Sequence, residues 1–370
     1  MLSKIRANQI STDPAYALFT SGSTGMPKGT IVSHQNVINY IEWFTSEFEI
    51  SNDTVFGSQT PFYFSMSVSD IFGTIFSGAS FVIIPKTYFS FPIKLVEILN
   101  QKKINTIYWV PSALCIVANI KLFDYAKPEQ LKYVLFAGEV MPNKQLNYWR
   151  KNLQNVKFAN LFGPTETTDI CTFYKIDRQF ADDEALPIGK HCNNLETFII
   201  DDNGKEIVEK DKVGELFVRG SFVAFGYYDN LEKTNSAFVQ NPLHNHYREI
   251  VYKTGDLVKI NNYGEYEYVG RKDFQIKHMG YRIELGEIET NAGAIDGVNS
   301  VCCVYNSIKD LIIMIYEGKI KQENLFEEIK KKVPPYMVPN EIIKISMMPH
   351  NQNGKIDRAY LKNNYDTLRR

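Results

Sequence analysis

The stretch Leu18-Phe19-Thr20-Ser21-Gly22-Ser23-Thr24-Gly25-Met26-Pro27-Lys28-Gly29 decides how the rest of the chain is read. It follows the apolar run Ala15-Tyr16-Ala17-Leu18-Phe19 and is built from hydroxyls, glycines and one lysine. Glycine lets the backbone come close to a ligand, and amides and hydroxyls then face anionic oxygens. That chemistry suits a polyphosphate. The stretch is not a Walker A loop, which needs G-x-x-x-x-G-K-[ST]; here Lys28 precedes Gly29 and no Ser or Thr stands at the required place. A Gly/Ser-rich stretch by itself is equally an ordinary flexible loop, so its neighbours carry the argument. The run before it predicts a strand entering the loop. Ser33 predicts the N-cap of a helix on which Val37, Tyr40, Ile41, Phe44 and Phe48 recur at helical spacing.

Further strands are predicted at residues 80–85, 105–110, 133–137 and 156–162, each β-branched or aromatic and about one βαβ unit apart. This implies an α/β fold, a layered large domain with a mostly parallel sheet and ligands at the carboxyl ends of its strands. From about residue 194 to 270 short strands and the turns Asp202-Asn203-Gly204 and Asn262-Tyr263-Gly264 predict hairpins, a β-rich subdomain. We place the domain boundary at Asp273, giving a large domain over residues 1–272 and a small α+β domain over 273–370. In the latter a helix is expected over 282–294, strands over 300–305 and 311–316, and an amphipathic helix over 322–332 stopped by Pro334-Pro335.

The chain has 370 residues, is 44% hydrophobic and 22% charged, and can fill a real core. A net charge of -1 argues against nucleic-acid binding through a basic field. No run of 18 apolar residues or signal peptide is present, so no membrane span is expected. Cys115, Cys171, Cys192, Cys302 and Cys303 have neither CxxC pairing nor metal-ligand spacing, and read as reduced residues of a cytoplasmic protein.

The glycine loop resembles the phosphate loop of the adenylate-forming (ANL) superfamily: acyl-CoA synthetases, luciferases, amino-acid adenylation domains and D-alanine–carrier-protein ligases. Further segments resemble that superfamily's signatures in the right order. They are Phe162-Gly163-Pro164-Thr165-Glu166-Thr167, Gly214-Glu215-Leu216, Tyr252-Lys253-Thr254-Gly255-Asp256-Leu257, the segment from Gly270-Arg271-Lys272-Asp273 to Lys277, and Asn353-Gly354-Lys355-Ile356-Asp357-Arg358. The resemblance spans nearly the whole chain. Relatives usually carry well over a hundred residues before the loop, so the chain is expected to lack the usual N-terminal region.

The resemblance implies activation of a small carboxylic or amino acid by ATP with Mg²⁺, as an acyl-adenylate. Transfer to the phosphopantetheine thiol of a carrier protein acting in trans follows. Thr20, Ser21, Gly22, Ser23, Thr24 and Lys28 would cradle the β- and γ-phosphates. Glu166 would bind Mg²⁺ and Thr165 would donate to the α-phosphate. Asp256 would accept from the ribose hydroxyls and Arg271 would add a ribose or phosphate contact. Phe162, with Gly163 after it, would stack on adenine, and Gly138-Glu139 would form the other wall. Lys355 would bridge carboxylate and α-phosphate from a mobile lid hinged at Asp273. Lys277 and Gly280 would line the thiol path when the lid turns. Bland readings stand beside these: Asn353-Gly354 and Gly280 are also plain turns, and Asp256 is also an Asx-turn residue.

By the same resemblance the acid pocket comprises Ser65, Met66, Ser69, Trp109, Leu135, Ala137, Leu161, Asp169 and Ile170, with Trp109 shortening it. Relatives that activate α-amino acids carry aspartate where Ser65 stands. The substrate is then a small acid without an α-amino group, or an acid whose displaced amine meets Asp169. A capping role for Asp169 fits equally. The Asn-Gly-Lys-Ile-Asp-Arg tail favours a carrier protein over coenzyme A, although Phe225 stands where many relatives have arginine. Two alternatives remain at this point: an acyl-CoA synthetase, and an inactive truncated nucleotide-binding fragment.

Overall fold

The computed structural model describes residues 2–20, 27–182, 184–272, 275–349 and 356–369. The chain divides into two compact units, residues 1–19 with 29–272, and residues 20–28 with 273–370. Each is built from its own buried residues.

The first unit opens with helix α1 (Leu2–Ala7), strand β1 (Pro14–Thr20) and strand β2 (Lys28–Ser33). Ser33 then caps helix α2 (His34–Glu47): its Oγ accepts from Asn36 N at 3.1 Å, while Asn36 Oδ1 accepts from Ser33 N at 2.9 Å. This reciprocal box satisfies two amides that the helix start would otherwise orphan. The stripe Val37, Tyr40, Ile41, Phe44 is buried, as its spacing requires.

A sheet follows, interleaved with helices: β3 (Val55–Ser58), α3 (Ser67–Ser77), β4 (Ser80–Ile83), α4 (Pro92–Gln101), β5 (Thr106–Trp109), α5 (Pro111–Asn119), β6 (Tyr133–Phe136), α6 (Asn143–Asn152) and β7 (Lys157–Phe162). The antiparallel strands β8 (Thr172–Lys175) and β9 (Lys190–His191) complete it. The order is β4-β3-β5-β6-β7-β8-β9, parallel from β4 to β7. Its central strands are buried on both faces, which is why they read as continuous apolar runs. Alternation along β5 sends Tyr108 into one core layer, with Tyr40, Phe44 and Leu135, and Trp109 into the other, with Val134 and Phe136.

The β-rich part of this unit contains β10 (Leu195–Ile200), β11 (Glu206–Ile207), β12 (Gly214–Gly220), β13 (Gly226–Tyr227), helix α7 (Leu231–Ala237), β14 (Phe238–Gln240), β15 (Ile250–Ile260) and β16 (Tyr266–Arg271). The sheet order is β11-β10-β12-β15-β14, with β16 also on β15 and all pairings antiparallel. The sequence turns at Asp202–Gly204 and Asn262–Gly264 close the hairpins β10–β11 and β15–β16. Strand β13 leaves that sheet and pairs with β2, giving a small sheet of order β1-β2-β13.

The second unit contains the hairpin β17 (Gln275–His278)–β18 (Tyr281–Glu284), helix α8 (Leu285–Gly293), β19 (Val298–Asn306), β20 (Leu311–Gly318), helix α9 (Gln322–Lys332), β21 (Glu341–Ile345) and helix α10 (Arg358–Leu368). The helix expected over residues 282–294 is shorter at its start. Residues 282–284 are not helical: Arg282 and Ile283 pair with Lys277 and Ile276, and the helix begins only at Leu285. The two-residue turn Met279-Gly280, both at positive φ, folds the segment back, and cross-strand pairing then overrides helical propensity. Among the described residues, no helix is long and apolar enough to cross a membrane.

Candidate active site

The first unit gathers a set of buried polar groups around the loop that leaves β7. At Gly163 a Cβ would sit 2.5 Å from Asp169 O and Ile170 Cα and 2.6 Å from Cys171 N, so only glycine fits this crossing. The chain then forms a single 3₁₀ turn, Thr165–Thr167. Thr168 follows in the left-handed region and donates from Oγ1 to Phe222 O at 2.6 Å. The turn is thereby pinned to the 222–227 segment. Ala224 N donates to Glu166 O at 2.9 Å, and Tyr227 OH donates to Glu166 Oε1 at 2.6 Å. The Glu166 carboxylate is fully buried. A buried carboxylate demands compensation, and the tyrosine hydroxyl supplies part of it. Tyr227 was not singled out from the sequence, although it stands two residues from Phe225. Phe225 is itself exposed.

Phe162, at the end of β7, is buried with its ring 5.7 Å from that of Tyr268 on β16. Tyr268 carries no motif signal; only the fold brings it there. Gly138 follows β6 at positive φ. Glu139 Oε2 accepts from Ser112 N at 2.8 Å, in the first turn of α5. A carboxylate at a helix N-terminus is favourable, so Glu139 is a structural clasp on α5.

Asp256 and Arg271 face each other across β15 and β16. Asp256 is 2% exposed. Its backbone N donates to Thr254 Oγ1 at 2.9 Å, and Thr254 Oγ1 in turn donates to Leu216 O at 2.7 Å. Arg271 Nη1 donates to Thr254 O at 2.8 Å and lies 3.1 Å from Asp256 Oδ1. The latter approach is an ion pair out of line for a hydrogen bond, and Oδ1 has no hydrogen-bond donor. A buried charged acceptor without a donor is costly, which makes Asp256 a built receptor for an incoming hydroxyl.

A second cluster lies among the predicted pocket residues. Asp169 Oδ2 accepts from Tyr40 OH at 3.1 Å, Tyr108 OH at 3.1 Å and Ser69 Oγ at 3.2 Å. Tyr40 OH and Ser69 Oγ are also 2.6 Å apart. Ser65 adds a side-chain contact to the carboxylate. Burial pushes Asp169 up to about 6, against the pull of these hydroxyls. Met66, Leu135, Ala137, Leu161 and Ile170 are buried in the same core layer. Trp109 does not join them. Its indole lies in the opposite layer, donates to Gly57 O at 2.7 Å and packs 5.0 Å from Phe89. It shortens no pocket here; Tyr108, one residue earlier, faces Asp169. A one-residue offset on a strand moves a side chain to the other face, and composition cannot reveal it.

In the second unit Lys28 Nζ lies 3.8 Å from Glu284 Oε1. Lys277 is on β17 and Gly280 is in the hairpin turn after it. The hairpin is braced by His278 Nδ1, 2.7 Å from Asp310 Oδ1, and by Tyr305 OH, which lies 3.2 Å from Lys277 O. Thr20 Oγ1 is buried without a hydrogen-bond partner. Ser21, Gly22, Ser23, Thr24, Asp273 and Lys355 lie outside the described residues. Among the described residues no three His, Cys, Asp or Glu side chains converge as a metal cage. A cation at Glu166 would draw its other ligands from outside the protein, as Mg²⁺ on a nucleotide does.

Residues 4–228 match the family described as AMP-binding enzyme. The chain is 33% identical over 362 residues to the zwittermicin A synthase ZmaJ of Bacillus cereus, covering 95% of this chain and 68% of that protein. It is 32% identical over 374 residues to the D-alanine–D-alanyl carrier protein ligase of Lacticaseibacillus casei, covering 98% of this chain and 73% of the relative. Its fold is like that of the Vibrio cholerae adenylation domain AlmE, solved in complex with glycyl-adenosine-5′-phosphate. The TM-score is 0.85 at 24% identity, over 99% of this chain and 69% of that one. With its buried carboxylates on the signature segments and this match over more than half its length, the chain belongs to the AMP-binding enzymes of the adenylate-forming superfamily.

Proposed function

We propose that this chain is an AMP-forming acid–thiol ligase: it activates a small carboxylic or amino acid with ATP as the acyl-adenylate and passes the acyl group to a carrier-protein thiol. The observation that carries the nucleotide half is Asp256 Oδ1, buried and without a donor beside Arg271. A ribose hydroxyl supplies the missing donor. Phe162 and Tyr268 give the base an aromatic neighbour, and Gly138 lets the backbone approach it. Glu139 stands next to Gly138 as part of that wall, its carboxylate fixed by the start of α5.

Attack of the carboxylate on the α-phosphate brings two anions together, so positioning and charge compensation do most of the work. Glu166 fits a hard cation because its carboxylate is buried and oriented by Tyr227. Mg²⁺ bound there would spread the charge of the phosphates. Thr165 donates to the α-phosphate, and Thr20 to Thr24 with Lys28 meet the leaving pyrophosphate. Lys355 compensates charge in adenylation; Lys277 and Gly280 serve thioester formation, in a small domain that begins at Asp273. The thiol is that of phosphopantetheine on a carrier protein, a reading supported by a relative named as a carrier protein ligase. Five unpaired cysteines fit a reducing, cytoplasmic setting.

ATP–pyrophosphate exchange with a panel of small acids tests adenylation, and acyl transfer to a phosphopantetheinylated carrier tests the second step. Lys355→Ala is expected to abolish exchange, and Lys277→Ala to spare exchange and slow transfer. Equal loss of exchange in both variants overturns the division of roles. Turnover with free coenzyme A but no carrier makes the protein an acyl-CoA synthetase. ATP binding without exchange for any acid makes it a nucleotide-binding fragment.

A further inference from the structure

Asp169 is not the only carboxylate sealed in that core layer. Asp70, on α3 next to Ser69, is 1% exposed, and neither of its oxygens has a hydrogen-bond donor. The Ser58 hydroxyl lies beside it and pulls the carboxyl down, against the larger rise that burial causes. The charge of Asp70 acts on Tyr108, and that of Asp169 acts on Asp70, so the two carboxylates belong to one cluster. None of the described ion pairs includes Asp70 or Asp169. Two buried carboxylates with the hydroxyls of Tyr40, Tyr108, Ser69 and Ser65 and, among the described residues, no cation form an incomplete site, because buried charges are ordinarily paired.

What completes it is set by placement. Asp169 lies three residues after Glu166 on the same loop, at the carboxyl side of the parallel strands where such sheets take ligands. Burial deepens along the cluster. Ser65 is half-buried, whereas Ser69, Tyr108, Asp169 and Asp70 are each no more than 2% exposed. A cation that reaches the inner carboxylates is therefore carried at the far end of a short chain, not beside the reacting carboxylate.

We propose that the acid activated by this protein carries a primary ammonium distal to its carboxylate, and that Asp169 receives it, held by Tyr40, Tyr108 and Ser69, with Asp70 as the second negative charge. This deepens the ligase reading and rests on it. Asp169 acts as a specificity residue that touches the substrate; Asp70 is a positioning residue acting through the field of the pair.

The test is pyrophosphate exchange by the full chain with matched short acids bearing the amine on the α carbon, on a distal carbon, or nowhere. The wild-type protein is expected to prefer the distal amine over the amine-free acid by roughly 10⁴-fold in kcat/KM, as expected for a buried polar partner left unpaired. In Asp169→Asn that ratio is expected to fall toward 1, chiefly through KM for the amine. In Asp70→Asn it is expected to fall by a smaller factor, while KM for ATP is unmoved. The wild-type panel needs no variant, so a folding defect in either mutant cannot decide the matter. Preference for an amine-free or plain α-amino acid overturns the proposal and leaves the ligase reading standing. So does an exchange rate set by Na⁺ or K⁺ concentration whatever the acid. Binding of ATP without exchange for any acid overturns the ligase reading itself and this proposal with it.

Discussion

Asp256 has an accepting oxygen with nothing to accept from, and that fact carries a direct consequence. Asp256→Asn replaces a charged acceptor with an amide while keeping the side chain's shape. A hydrogen bond to a charged group contributes about 1.5–3 kcal/mol, so KM for ATP is expected to rise about 10- to 100-fold. Wild-type protein should discriminate ATP from 2′-deoxy-ATP in exchange, and the variant should lose that discrimination; equal discrimination in both would remove Asp256 from the ribose site. Asp70 makes a prediction about stability. Burial pushes its carboxyl up to about 7, with the charge of Asp169 adding to the rise, so between about pH 4 and 7 the folded protein without a bound acid holds a proton that the unfolded chain has released. Its unfavourable contribution is absent below the unfolded value and grows as pH rises from there through about 7. Asp70→Asn should therefore change the melting temperature little at pH 4 and raise it relative to wild type at pH 8. Melting curves across that range check the sign.

At the scale of elements, the loop after β7 depends on one missing methyl group. Gly163→Ala would drive a Cβ into the backbone of residues 169–171, which cannot move as a side chain can. The expected cost is about 3 kcal/mol, read from the urea midpoint, with loss of exchange because Glu166 and Asp169 flank the strained crossing. An unchanged midpoint would show that the crossing is looser than described. The helix opened by Ser33 and the strands β5, β6 and β7 were legible because local chemistry and tertiary packing agree there. Two assignments failed for opposite reasons. Arg282 and Ile283 have no strong local preference, and the Met279-Gly280 turn recruits them into a strand. Tyr108 and Trp109 are both aromatic and both buried, and only the pleat decides which meets Asp169.

For the whole molecule, each unit has its own core. In the second, Ile283, Ile288, Ile312, Met314, Tyr316, Leu325 and Ile329 are fully buried together. A fragment of residues 275–370 is expected to fold alone and unfold in one cooperative transition by circular dichroism; a gradual, non-cooperative melt would show that its core is insufficient. The signature segments with Asp256, Glu166 and Lys355, and the α/β alternation, could be read from the chain because each is written in contiguous residues. The donors that orient Glu166 and Asp169 could not: Tyr227 is 61 residues from the first, and Tyr40 is 129 from the second. The superfamily and its nucleotide chemistry could be read from contiguous residues alone. Which buried charges are paired and which await a partner emerges from the folded chain, because desolvation and hydrogen-bond geometry depend on groups that adjoin in space and not along the chain.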